Sequence, residues 1–470
     1  MKKELATSIY QYSFPDDLQI PEQADDCIFI PCMALNDHVV FFLVDFKTKK
    51  IVAIDTDLSE EMTRLRKDTE KYHVDSMSPH RMPFDTLMYS VSTPHQGEQY
   101  GQVITVAFTS VDFFALIDLS TLKVYCVFDE SKKEKWVYSS TNQIQNGKMY
   151  ASRWRFKDMY KEDITLNRSV DLEILYYDID EDKFHLIDTI EGIDHIHTTN
   201  ISPNSRFLLL VQMTMDSVLD SPDLAKESKE RQLEIQEAGL VNGNCYIYDL
   251  EAKKVTSMES IPYSPAHAEF EHENSDYFYL SQHNLGLMGR NNSLYSFGPA
   301  IVCRYRLTED GKMERLEQFY DVETVRIPGH ILFSYEGMNF MVMPSPPLQI
   351  LMINRDTMSV YKKIQLRENV SKPDFSEGPY QHPIPLRDKT PFSVHGKNDS
   401  RYLYCNNTLS IGLHDFIADK AVCDFRFNAG VRVVSVGHST RLENVKLHLD
   451  NVKSFSEMKD CLRKKQKHSK

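Results

Sequence analysis

Three histidines stand at one place in a repeated unit. His197 opens HTTNISPNSRFLLLVQ, His267 opens HAEFEHENSDYFYLSQ and His330 opens HILFSYEGMNFMVMPSPP. In each unit the histidine precedes a second apolar strand by about ten residues, the length of one strand and one tight turn. His73 opens HVDSMSPHRMPFDTLMYSV, the same cassette lengthened by roughly two residues. His395, in PFSVHGKNDSRYLYC, falls about three residues further along its strand. Repetition places equivalent residues equivalently in space, so these imidazoles should converge. Convergent imidazoles can bind a first-row metal such as Fe, Mn or Zn. An all-nitrogen site with open positions suits Fe(II), whereas structural zinc is more often tetrahedral and closed. The metal candidates are therefore His197, His267, His330, His395 and His73, with Fe(II) as the expected ion and Mn(II) as its alternative. Metal-bound histidines usually give their other ring nitrogen to a carboxylate. Glu269, Glu271, Glu336 and Glu377 are the nearest in sequence. The competing account is architectural, because repeated propeller units also carry histidines in purely structural hydrogen-bond networks. His80, His95, His272 and His283 read as loop or surface residues. His195, two residues before His197, reads as secondary to it.

The elements that would position these residues repeat as well. An apolar strand ends near Asp, a polar turn follows, and a second strand leaves it. FFLVDFKTKKIVAID, FALIDLSTLKVYCVF, ILYYDIDEDKFHLID and CYIYDLEAKKVTSME are four copies. CRYRLTEDGKMERLE, ILMINRDTMSVYKKI and IGLHDFIADKAVCDF complete the set. About seven such hairpins, at intervals of roughly 45 to 75 residues, fit propeller blades with insertions. Each is preceded by an inner strand pair, so the expected fold is an all-β, seven-bladed β-propeller with loop and helix insertions on one face. Asp45, Asp118, Asp178 and Asp249 then serve turn chemistry rather than catalysis.

Inner strands should begin near Trp136, His197, His267, His330 and Ser393, with His73 opening the second blade. The segment Val431–Gly437 is expected to supply the innermost strand of the first blade, which would close the ring and remove an exposed edge. The propeller is expected to span 1–443, followed by a C-terminal helix and basic tail over 444–470. Three long connections are expected at Thr93–Gly101, Met213–Asn244 and Gln282–Pro299. The middle one should carry a charged helix over Pro222–Ala238. The last, with Tyr295 and Phe297, reads as a lid.

Composition narrows the partners. The chain of 470 residues carries a formal net charge of −14, which argues against nucleic acid and against an anionic membrane surface. It is 41% hydrophobic, enough to bury a substantial core. No apolar run has the length of a transmembrane span, and the N-terminus lacks the apolar stretch of a signal peptide. Eight cysteines without a CxxC pair read as reduced core residues of a cytoplasmic protein. No Walker loop, GxSxG or HExxH is present.

The second half of the chain resembles the carotenoid cleavage oxygenases. In His330–Pro347 a histidine strand turns through Glu into an apolar strand ending in prolines, as in that family. Pro391–Gly396, PFSVHG, is similar to the segment carrying the family's last histidine. The resemblance implies a seven-bladed propeller with a four-histidine Fe(II) centre on its axis, and His197, His267, His330 and His395 as the ligands. The expected function is a non-haem iron oxygenase acting on a small, partly apolar organic substrate. One alternative is an interaction scaffold that binds a protein partner. Another is a manganese-dependent lyase on an acidic or sugar substrate, for which Arg290 and Arg326 are the candidate cations.

Overall fold

The computed structural model describes residues 2–14, 18–34, 37–64, 94–108, 111–131, 136–139, 141–156, 170–193, 196–212, 243–261, 265–271, 276–282, 285–288, 294–296, 300–321, 331–345, 349–366, 393–407, 410–426, 433–447 and 453–454. Strand dominates these residues, and the strands form up-and-down antiparallel sheets in a propeller-like arrangement. Each sheet is named here by its innermost strand.

The Pro94 sheet runs Pro94–Tyr100, Val103–Phe108, Phe113–Asp118 and Lys123–Phe128 from inside outwards, and Lys2–Glu4 pairs on its outer edge. The Thr141 sheet runs Thr141–Gln145, Lys148–Phe156, Val170–Asp178 and Lys183–Glu191. The Ile196 sheet runs Ile196–Ile201, Phe207–Gln212, Gly243–Asp249 and Lys254–Ile261. These last two are joined by a short parallel pairing of their inner strands, Thr141 with Thr198 and Asn142 with Thr199. The sheets headed by Pro265–Phe270, Ile331–Tyr335 and Ser393–His395 each have four strands in the same order.

A further sheet joins the two ends of the chain. Cys27–Ala34, His38–Asp45 and Lys50–Asp57 form its middle. Val433–Val436 and Thr440–Leu442 pair with Cys27–Ala34 on the inside, and Thr7–Ser13 pairs with Lys50–Asp57 on the outside. The inner strand expected from Val431–Gly437 is thus found at Val433–Val436. Of the segment 444–470, the described residues are 444–447 and Lys453–Ser454, and the latter pair in parallel with Thr7–Ser13.

The recurrent Asp motif has a common cause. Asp45, Asp118, Asp178, Asp249 and Asp415 accept hydrogen bonds from backbone N–H groups two or three residues on, at 2.9–3.1 Å. Asn354 does the same for Asp356 at 2.8 Å. Four residues after each, the chain takes a left-handed conformation: Lys49, Leu122, Asp182, Lys253, Met358 and Asp419 have φ between 47° and 56°. The carboxylate or amide holds the first half of the turn and lets a non-glycine residue occupy the left-handed half.

Sheets pack face to face through apolar clusters. Phe41 and Leu43 meet Ile104 and Phe113; Phe114 and Leu116 meet Met149 and Leu175. Leu172 meets Leu208, and Leu209 and Ile247 meet Phe278. Tyr279 and Val302 meet Met341 and Ile353, then Phe340 and Met352 meet Leu403. Leu413 and Tyr404 finally return to Phe42 and Ile28 of the sheet that joins the chain ends. A sheet covered on both faces needs apolar residues on both, which is why Cys27–Ala34 is buried at every position. Lys183–Glu191, at an outer edge, has no buried position.

The expected long connection at Thr93–Gly101 is instead the inner strand Pro94–Tyr100. The connection Gln282–Pro299 contains a small hairpin of Leu285–Met288 with Leu294–Ser296. The segment Pro222–Ala238 lies outside the described residues, as do Phe297, Arg290 and Arg326. No described helix is long and apolar enough to cross a membrane. The seven described cysteines are buried, and burial pushes the thiols of Cys27, Cys32 and Cys245 far up from their ordinary value.

A candidate metal centre among the inner strands

Four imidazoles meet where the inner strands converge. The ring centroids of His95 and His197 are 4.7 Å apart, those of His197 and His267 4.8 Å, and those of His95 and His438 4.9 Å. His267 lies 5.2 Å from His438 and 5.5 Å from His95. One ligand nitrogen from each of His95, His267 and His438 falls within 4.8 Å of the others. These three come from different sheets, so residues 343 positions apart in sequence (95 to 438) share one space.

The backbone device that delivers them is a β-bulge. Register shifts occur between Pro94 and Gln96, between Ile196 and Thr198, and between Pro265 and His267. An extra residue in an antiparallel strand breaks the alternation and re-aims a side chain. His95 is itself the extra residue on its strand and His197 on the next, while Ala266 is the extra residue just before His267. Proline at 94 and 265 suits such positions, because it gives no N–H to the ladder.

Hydroxyl groups surround the rings. His95 Nδ1 lies 3.4 Å from Thr141 Oγ1, His197 Nδ1 lies 3.2 Å from Thr198 Oγ1, and His438 Nδ1 lies 3.5 Å from Ser393 Oγ. The backbone N–H of His438 donates to the carbonyl of His95 at 2.7 Å, which couples the two histidines directly. Thr199, beside His197, meets Ser152 at 2.8 Å and Ser139 at 3.2 Å in a buried hydroxyl network.

The centre borders a cavity of about 730 Å³, whose wall includes His267 and His438. Glu98 and Glu269 face the same cavity from the strands that carry His95 and His267. Burial pushes Glu98 up to about 7, against the amide of Gln96 and the backbone N–H of Ile144. Burial first and the charge of Glu98 second push Glu269 up to about 8, with Arg355 opposing. Both carboxyls keep some accessible surface because they line a space inside the protein. Ile144, Val342 and Val394 add apolar wall, and Lys397 and Arg441 add cations. Those cations are matched by carboxylates: Lys397 by Asp25 at 3.1 Å, Arg441 by Glu443 at 2.6 Å and by Asp26 at 3.2 Å.

The structure sorts the candidate ligands. His197 and His267 are brought together as expected. His73 and His330 lie outside the described residues. His395 lines the cavity but is not brought into the imidazole cluster: its Nε2 meets Ser439 Oγ at 2.6 Å, and burial pushes it down to about 4, so it is neutral. His95, read as a loop residue, is on an inner strand and in the cluster. His438 was not singled out at all. A proline one or two residues ahead of both His95 and His267 was the available signal for the first. For the second it was a histidine directly after the strand expected to close the first sheet.

The carboxylates expected behind the histidines are placed differently. Glu271 accepts from Tyr279 Oη at 2.6 Å and pairs with Arg304 at 3.2 Å, tying strands of its own sheet. Glu336 sits in a hairpin turn with φ 48°. Glu377 lies outside the described residues.

No protein-family model matches the chain, and no curated protein matches it. Among solved structures, one similar chain is described as a functionally unknown protein from Desulfotomaculum acetoxidans DSM 771. It is 10% identical, the match covers 67% of this chain and 77% of that one, and the TM-score is 0.40.

Proposed function

We propose that this chain is a metal-dependent enzyme built on a seven-bladed propeller, with a divalent first-row ion held by the imidazoles among the inner strands. The observation that carries the reading is the common space shared by ligand nitrogens of His95, His267 and His438. These three imidazoles come from three sheets, and their rings meet stacked, tilted and edge-on. A nitrogen donor set of this kind suits iron, manganese or zinc. The blade count is supported by the apolar clusters that link each sheet to the next and return to the first. It needs the two sheets joined at Thr141 and Thr198 to be counted as separate blades.

The leading chemistry is non-haem iron oxygenation of a small organic substrate in the adjoining cavity, with Mn(II) as the alternative ion. When bound, the ion would supply Lewis acidity or O2 activation. The cavity would orient a substrate with both apolar and hydrogen-bonding parts, through Val342 and Val394 on one side and Gln96, Glu98 and Glu269 on another. The manganese lyase reading wants unpaired cations beside the histidines, whereas Lys397 and Arg441 already face carboxylates.

Elemental analysis of the untagged chain tests the reading. Near-stoichiometric iron or manganese, lost in His267→Ala, is the expected result. A metal-free chain that takes up neither Fe(II), Mn(II) nor Zn(II) on addition would return the histidines to an architectural role and favour the scaffold alternative.

A further inference from the structure

Four clustered imidazoles do not by themselves say how many hold the ion. Their nitrogens divide them. His95, His267 and His438 contribute to one group within 4.8 Å. His197 does not join that group, although its ring touches two of the three. Both contacts are edge-on, with interplanar angles of 80° to His95 and 84° to His267. The side chain is buried, and its Nδ1 faces the hydroxyl of Thr198 on its own strand. The neighbouring Thr199 is fixed through Ser139 and Ser152 to the next sheet. Its Nδ1 is held by a hydroxyl as those of His95 and His438 are, so what sets His197 apart is that it falls outside the group of nitrogens the other three share, with its ring edge-on against two of them.

We propose that His95, His267 and His438 form a three-histidine centre with open coordination positions, and that His197 is a positioning residue that sets the ring planes of His95 and His267. This rests on the metal-centre reading and narrows it. Three protein nitrogens leave an ion of this class with positions to fill from outside the protein. The cavity that His267 and His438 line supplies the space for them. A fourth imidazole ligand would occupy one of those positions. The hydroxyls of Thr141 and Ser393 lie beside Nδ1 of His95 and His438, which leaves the opposite ring nitrogen for the ion. His197 acts on the centre through ring contact, so an aromatic ring without nitrogens should replace it.

The test uses the full chain, stripped of metal and titrated with Co(II). His267→Phe and His438→Phe should each weaken binding at least 100-fold, because a ligand nitrogen is gone. His197→Phe should bind one Co(II) within about threefold of the wild-type affinity, with the same ligand-field absorption. His197→Ala should still bind one, about 10- to 100-fold more weakly and with shifted bands, the range seen when a group behind a ligand is lost. A purely structural histidine would leave those bands unmoved in His197→Ala. Circular dichroism checks the fold. If His197→Phe does not fold, His197→Leu fills similar space without a nitrogen and must also retain Co(II). The proposal is overturned if His197→Phe or His197→Leu loses Co(II) as fully as His438→Phe, or if His438→Phe keeps it. Wild-type chain that takes up no Co(II) sinks the metal-centre reading itself, a different result from either.

Discussion

Gly437 is the residue on which the meeting of His95 and His438 depends. Its N–H donates to the carbonyl of Pro31 at 2.8 Å, and the next residue, His438, donates to His95. A Cβ at 437 would stand 2.3 Å from the carbonyl oxygen of Pro94 and 2.9 Å from the ring of Pro31. Those neighbours are backbone and a stiff ring, so they cannot turn aside. Gly437→Ala should lower stability by about 2 kcal/mol, as overpacking does. It should also weaken metal binding by at least tenfold by pushing His95 and His438 apart. Urea unfolding and metal titration of one preparation read both effects.

His395 makes a second case at this scale. Burial, with the charge of Arg441 behind it, lowers its affinity for protons to about pH 4 from an ordinary 6.5. Between those values the unfolded chain takes a proton that the native chain refuses. Stability should therefore fall as pH drops through 6.5 and level off below 4, by up to about 3 kcal/mol from this group. Urea midpoints at pH 7 and pH 4.5 should differ less in His395→Gln than in wild type. An equal difference would remove His395 as the cause. His395 shows what sequence could and could not reveal about single residues. Its place on an inner strand was legible from the flanking apolar residues. That its nitrogen is spent on Ser439 was not, because Ser439 lies 44 residues away, between the two strands Val433–Val436 and Thr440–Leu442.

At the scale of elements, the hairpins were the most legible part of the chain. The Asp or Asn that starts each turn makes local hydrogen bonds, and local bonds leave local signatures. The residue four positions on is less well chosen, since only glycine takes left-handed φ freely. Lys253, with φ 49°, is exposed and projects from its turn. Lys253→Gly should raise stability by roughly 0.5–1 kcal/mol, measured by the urea midpoint. A loss of similar size would show that the turn is held by the lysine side chain instead. The bulges at His95, His197 and His267 were not legible. A bulge depends on register against a partner strand, and sequence periodicity assumes an unbroken period of two. The inner strand Pro94–Tyr100, PHQGEQY, was missed for a related reason. It is polar because it faces the cavity, so it reads as a loop.

On the scale of the whole molecule, one sheet is assembled from strands at opposite ends of the chain. Val433–Val436 and Thr440–Leu442 cover the inner edge of Cys27–Ala34, and buried Leu442 packs with Phe29 and Phe41. The same segment brings His438 to the centre. The strand that completes this sheet and the proposed ligand His438 thus belong to one segment, which the apolar run VRVVSV hinted at. A chain ending at residue 432 would lose both. It should unfold without a sharp cooperative transition, and it should bind no metal. A truncated chain with the wild-type urea midpoint would show that the ring does not need this strand. Overall repetition was readable because most sheets are built from strands consecutive in sequence. Which histidines converge was not, because convergence is set by how separate sheets pack against one another.

The most direct test of the central claim is anaerobic calorimetric titration of metal-stripped chain with Fe(II), comparing wild type with His438→Ala and with His185→Ala. His185 sits on an outer strand, 3.2 Å from Glu181 and far in sequence from His95, His267 and His438, and serves as the control. The account predicts one Fe(II) per chain for wild type and for His185→Ala, and a loss of at least 100-fold in affinity for His438→Ala. Equal binding by wild type and His438→Ala, or no binding by wild type, would contradict it.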